Sequence, residues 1–97
     1  MSRAIRGAEA TIDCKIFLGM FSSERGVVVE LPDGRKVMAV VDKRYVFPDR
    51  EPKPGTEVDG RVKVFIVESK KDTAIVDLPQ AGLTQGPRLE IPRTLLR

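Results

Sequence analysis

The stretch that most constrains the fold is residues 60–79, GRVKVFIVESKKDTAIVDLP. Val62, Val64 and Ile66 alternate with Arg61, Lys63, Phe65 and Val67. After the polar Ser69-Lys70-Lys71-Asp72, the residues Ala74, Val76 and Leu78 alternate with Thr73, Ile75 and Asp77. A period of two sends successive side chains to opposite faces of a strand. The stretch therefore predicts a hairpin with one aliphatic face that must be covered. Its other face carries Arg61, Lys63 and Phe65 in the open.

Upstream, residues 11–21 alternate in the same way. Ile12, Cys14, Ile16, Leu18 and Met20 share one face, and Thr11, Asp13, Lys15, Phe17 and Phe21 the other. A turn at 22–26 leads to a strand over 27–31. Pro32-Asp33-Gly34 is the strongest turn signal in the chain: proline presets φ, aspartate bonds the backbone ahead of it and glycine accepts a positive φ. A third strand over 36–42 follows, with Val37, Ala39 and Val41 inward. Met38 and Val40 on its other side suggest a central or partly covered strand. Residues 43–47 either extend it or break from it. Three prolines exclude 48–55 from any inner strand, so this segment is read as a loop. Residues 88–91 read as a short edge strand and 92–97 as a single helical turn.

Five strands, two tight hairpins and no long helical period predict an all-β chain, a small five-stranded closed or nearly closed barrel. Closure suits it because closure removes unpaired edges. An OB-like barrel is the first expectation and an SH3-like barrel the alternative. Residues 1–10 read as a flexible N-terminal arm, 11–79 as the barrel domain, and 80–97 as a tail able to supply an edge strand or docking segment.

Ninety-seven residues allow one domain with a single modest core. No apolar run approaches the roughly 20 residues of a membrane-spanning helix, and residues 1–10 lack the apolar centre of a secretory signal. The lone cysteine, Cys14, has no partner for an internal disulfide, which makes a reducing cytoplasm the expected location. The net charge is +3. Residues 1–10 carry +1 of it and residues 80–97 carry +2, which leaves the intervening body neutral. The excess is thus no basic stripe on the barrel.

The order of long strand, hairpin, loop and then KPGTEVDGRVKVFIVESKKDTAIVDLP resembles OB-fold RNA-binding domains of the ribosomal S-one type. Gly55, Val58, Val62, Val64, Lys70, Lys71 and Leu78 match that pattern, and residues 26–31 look like its second strand. The chain departs from it in having no histidine and in following Phe21 with serines. The resemblance implies a β-barrel that binds RNA.

Catalysis is poorly supplied. Without histidine there is no ordinary Ser–His or Cys–His pair and no base titrating near neutrality. Cys14 shares the inward parity of Ile12 and Ile16, as a small buried hydrophobe does. The acidic residues are scattered, no metal-ligand spacing is present, and no cofactor is implied. The expected class is a non-catalytic binding module. Its ligand would be single-stranded RNA or, less favoured, DNA on an outward face of Lys15, Phe17, Phe21, Arg61, Lys63 and Phe65, rimmed by Lys36, Lys43 and Tyr45. Rings offer bases a stacking platform and flanking cations follow the phosphates. The same residues also fit a solvated strand face whose rings are covered by the arm or the tail. The competing function is protein interaction or self-assembly into an oligomer, through a strand edge and the tail residues Arg88, Leu89, Ile91, Leu95 and Leu96.

Overall fold

The computed structural model describes residues 8–80 and 87–97. Strands β1 (Ala8–Leu18), β2 (Glu24–Glu30) and β3 (Lys36–Asp42) form a meander. A 3-10 turn over Lys43–Tyr45 leads into the short β4 (Val46–Pro48). The hairpin of β5 (Val58–Ser69) and β6 (Thr73–Asp77) follows, then β7 (Arg88–Pro92) and a second 3-10 turn over Arg93–Leu95. The fold is all-β, and every strand pairing is antiparallel.

The sheet runs β3-β2-β1-β5-β6-β7, with β4 paired to β5 beside this path. Two long strands hold it together. β1 pairs with β5 from Ala8↔Ile66 to Ile16↔Val58, and its last residues also pair with β2 from Lys15↔Val28 to Leu18↔Arg25. β5 in turn pairs on its far edge with β4 and then β6. Strands shared in this way make the sheet curl, and the curl gives the aliphatic faces one common inside. Ile12, Ile16, Val27, Val29, Val41, Val62, Val64, Val76, Leu78 and Ile91 are almost wholly buried there. Each such side chain contributes about 1.5–3 kcal/mol relative to exposure.

Several expectations are corrected. The sheet curls into a half-barrel and does not close, because no ladder joins β3 to β7. Among the described residues it has seven strands: to the five expected it adds β4, which forms where the chain breaks away from β3, and β7, at the edge strand expected over 88–91. β1 begins at Ala8, inside the segment read as an arm; residues 1–7 lie outside the described residues, as do 81–86 of the tail. β3 is an end strand, so Met38 and Val40 stand in the open. Met20 is 88% exposed rather than inward, since β1 stops at Leu18 and its parity is lost in the turn. Ile66 is only half-buried next to a β-bulge between Ile66 and Glu68.

The end of the chain is tied down. Arg97 exchanges both backbone hydrogen bonds with Thr11 of β1, at 2.8 and 3.1 Å, while its guanidinium reaches Asp13 at 3.1 Å. Leu95 and Leu96 pack against the core on the way. β7 is clamped to β6 by polar pairs. Arg88 donates two bonds to the Asp77 carboxylate at 2.7 and 3.0 Å, and Glu90 accepts from Thr73 at 2.8 Å and Lys70 at 3.3 Å.

Gly34 and Gly60 are among the positions that geometry holds to glycine. Gly34 takes φ +92° in the β2–β3 turn, a value side chains rarely adopt. Gly60 sits where β4 crosses close to β5. A Cβ there would lie 2.5 Å from Ile16 Cδ1 and 2.7 Å from both the Phe47 carbonyl and Pro48 Cα. Since two of these are backbone atoms, Gly60→Ala is expected to lower the unfolding free energy by about 2 kcal/mol in a denaturant titration. The β6–β7 clamp predicts a pH dependence. The Arg88 bonds hold Asp77, and the Thr73 and Lys70 bonds hold Glu90, below their ordinary 3.8 and 4.5. Their stabilisation is complete above those values and is lost as pH falls through the lower folded ones. Melting temperature should therefore drop below pH 4, and less steeply in Asp77→Asn, which starts from lower stability.

Candidate nucleic-acid interface

The outward face of the sheet is where the ring-and-cation residues are expected, and the alternation does place Arg61, Lys63 and Phe65 opposite the buried Val62 and Val64. What gathers around them comes from β4. Phe47 lies directly across from Arg61 in the β4–β5 register. The preceding 3-10 turn, capped by the Asp42 carboxylate accepting from the Arg44 N–H at 3.0 Å, sets Tyr45 beside Lys63 and Phe65. Tyr45 and Phe65 meet edge to face, with ring centroids 6.3 Å apart and planes at 80°. This is the favoured quadrupole arrangement for two rings. The Arg44 guanidinium stands 5.0 Å from the Tyr45 centroid and the Lys63 ammonium 5.8 Å from it, both within cation–π reach. Three rings and three cations thus occupy one corner of the outer face.

Their charges differ in availability. Lys63 is ion-paired to Glu9 at 2.9 Å. Arg44 reaches the Asp42 carboxylate only at 3.9 Å and stays mostly exposed. Arg61 is exposed, and among the described residues no carboxylate pairs with it. Phe47 keeps 45% of its surface open, which makes it the most accessible of the three rings.

Of the residues expected at the interface, Tyr45, Arg61, Lys63 and Phe65 are brought together. Lys15 lies along the face but is hydrogen-bonded to Asp59, its cross-strand partner on β5, and this bond raises the lysine and lowers the carboxyl. Phe17 is further off and half-buried: its ring covers Gly26 on β2, occupying the space a Cβ there would need. With Leu18, Val28, Met38 and residues 55–57 it lines an apolar cleft of about 450 Å³. Phe21 is 62% exposed in the β1–β2 turn, and Lys36 lies at the far end of β3 beside Glu30. Lys43 is exposed in the 3-10 turn. Phe47 is missing from the sequence reading. Phe47 shares the parity of Tyr45, but its face is defined only once β4 pairs with β5.

The apolar residues of the C-terminal segment read as a docking surface lie against the chain's own core. Ile91 is fully buried, and Leu89, Leu95 and Leu96 pack against the core, while Arg88 is held by Asp77. The chain's own fold takes up these apolar groups.

Cys14 is 8% exposed between Ile12 and Ile16. Burial, reinforced by the charge of Asp13, pushes its thiol up to about 12. Among the described residues no group of three or more His, Cys, Asp or Glu side chains could hold a metal ion, and no helix is long and apolar enough to cross a membrane. Comparison of the chain with protein-family models, curated proteins and solved structures yields no match.

Since the thiolate is the reactive form, folded protein at neutral pH should leave Cys14 unmodified by iodoacetamide through an incubation that alkylates the guanidinium-unfolded chain completely. Mass spectrometry reads both outcomes.

Proposed function

We propose that this protein is a non-catalytic binding module for single-stranded nucleic acid, RNA ahead of DNA, and that the β4–β5 corner is its contact surface. One observation carries the reading: Tyr45, Phe47 and Phe65 stand on one outward face with Arg44, Arg61 and Lys63. Unpaired bases stack on exposed rings at about 1–3 kcal/mol per base, with little dependence on sequence. Phe47 offers the open ring, the Tyr45–Phe65 pair a second platform, and Arg61 and Arg44 the charge that tracks phosphates. The preference for RNA, and the reading of the curled sheet as OB-like, rest on the resemblance of residues 12–79 to the S-one type domains. The order of long strand, hairpin, proline-rich loop, long strand and hairpin runs in favour of that likeness.

The neutral body of the chain sets the expected strength. Most face cations already have carboxylate partners, so few phosphates can be neutralised and affinity should be modest and weakly salt-dependent. Fluorescence anisotropy with labelled oligo-uridine and oligo-thymidine, at low and moderate salt, tests this. Phe47→Ala should weaken binding about tenfold or more. Arg61→Glu should weaken it and flatten the salt slope. Absence of binding at low salt, or binding untouched by both substitutions, would overturn the proposal.

A further inference from the structure

We infer that β3 is a self-recognition edge, through which two copies of this chain join as a two-fold dimer with a continuous sheet. The inference does not use the β4–β5 corner and stands apart from the reading above.

β3 ends the sheet and is paired only to β2 among the described residues. The direction of its free backbone groups follows from the bonds at its two ends. The Leu31 N–H donates to the Arg35 carbonyl at 2.8 Å, and the Lys43 N–H donates to the Ser23 carbonyl at 2.9 Å. Bonded pairs alternate in an antiparallel ladder, so Val37, Ala39 and Val41 face β2. Lys36, Met38 and Val40 turn their N–H and C=O groups to the free edge, as does the Asp42 N–H, while the Asp42 C=O opens the 3-10 turn over Lys43–Tyr45. Among the described residues nothing blunts this edge: β3 contains no proline and no bulge, and no charge lies between its two ends. Met38 is 64% and Val40 44% exposed. An open groove of about 520 Å³ runs beside them, bounded by Phe17, Glu24, Ala39 and Gln80.

The occupant is written in the strand itself. A two-fold dimer requires a surface complementary to its own copy. With the axis at Ala39, the sequence KVMAVVD pairs antiparallel with itself so that Met38 faces Val40 and Lys36 faces Asp42 of the second copy. The free N–H and C=O groups of Met38 and Val40 then point at each other, and the Asp42 N–H points at the Lys36 carbonyl. The inner face then matches Val37 with Val41. Two ion pairs flank two apolar pairs, each pair type being favourable across strands. Moving the axis to Val40 would set Lys36 against Arg44, and moving it to Met38 would leave Asp42 opposite Gly34. Asp42 has reason to accept a cation. Within its own chain it lies opposite Glu24 on β2, a like-charge pair, and it accepts the Arg44 backbone N–H at 3.0 Å while the Arg44 guanidinium stays 3.9 Å away. The other end of the sheet offers no such match: β7 finishes on Pro92, which has no N–H, and its Arg88 and Glu90 are engaged by β6.

Light scattering across a concentration series should give a mass approaching twice 10.8 kDa at high concentration, falling toward the monomer on dilution. Lys36→Asp and Asp42→Lys each set like charges at both ends of the seam, and each should weaken dimerisation about tenfold. Mixed in equal amounts, the two variants carry opposite charges at every position and should dimerise again. Val40→Glu, exposed and outside the Asp42-capped turn, should also give monomer with an unchanged circular dichroism spectrum. A wild-type chain that stays at 10.8 kDa throughout overturns the inference. So does a dimer indifferent to Val40→Glu, or a mixture of folded charge variants that remains monomeric.

Discussion

Nine consecutive cross-strand positions join β1 to β5, from Ala8↔Ile66 to Ile16↔Val58, and every other part of the fold is hung from that pairing. Its inner face is Ile12, Cys14 and Ile16 against Val58, Val62 and Val64, all buried. A slip of one residue would turn that set outward and bring Asp13, Lys15, Arg61 and Lys63 in, at the cost of several desolvated charges. The register is therefore specified by burial. Because both strands are long, each has length left over for further partners, and the curl of the sheet follows from that sharing.

The outer side of the same pairing shows how a strand face rich in cations stays nearly neutral. Carboxylates sit across or beside the cations: Asp59 against Lys15, Glu9 against Lys63, Asp13 near Arg97. Such exposed pairs add little stability, but they cancel the field that a row of lysines would otherwise project. Only where β4 approaches does the pattern change. Gly60, lacking a Cβ, lets Phe47 and Pro48 come within van der Waals reach of β5, and with them arrive an open ring and an arginine contact to Tyr45.

The two ends of the sheet are handled differently. At β7, ion pairs of Arg88 with Asp77 and of Glu90 with Lys70 and a closing proline finish the strand, the chain then returns to β1, and the apolar residues 89, 91, 95 and 96 serve the core. At β3, exposed methionine and valine remain between a lysine and an aspartate. An unclosed sheet leaves its edges to be managed separately, and among the described residues β7 ends in a proline while β3 carries exposed apolar side chains.

Period-two alternation is a local property, and it was legible: the strands around Ile12–Ile16, Val62–Val64 and Ala74–Leu78, their inward residues, the Pro32-Asp33-Gly34 turn and the outward placement of Arg61, Lys63 and Phe65 could all be read from neighbouring residues. Alternation fails where a strand stops, which is why Met20 stands in the open, and it weakens beside a bulge, where Ile66 packs on the core only half-buried. Whether the sheet closes, which strands lie at its ends, and that Leu95 and Leu96 fold back on the core depend on pairings between residues far apart in the chain. No local pattern encodes these. The same holds for the candidate site. Tyr45 and Phe65 are twenty positions apart, and Phe47 joins them only because β4 docks on β5 beside a residue with no side chain. Sequence by itself determined which faces are greasy and which are polar, since burial of aliphatic area decides that strand by strand. Tertiary structure alone decided which rings, cations and edges meet, since that depends on register and curvature summed over the whole sheet.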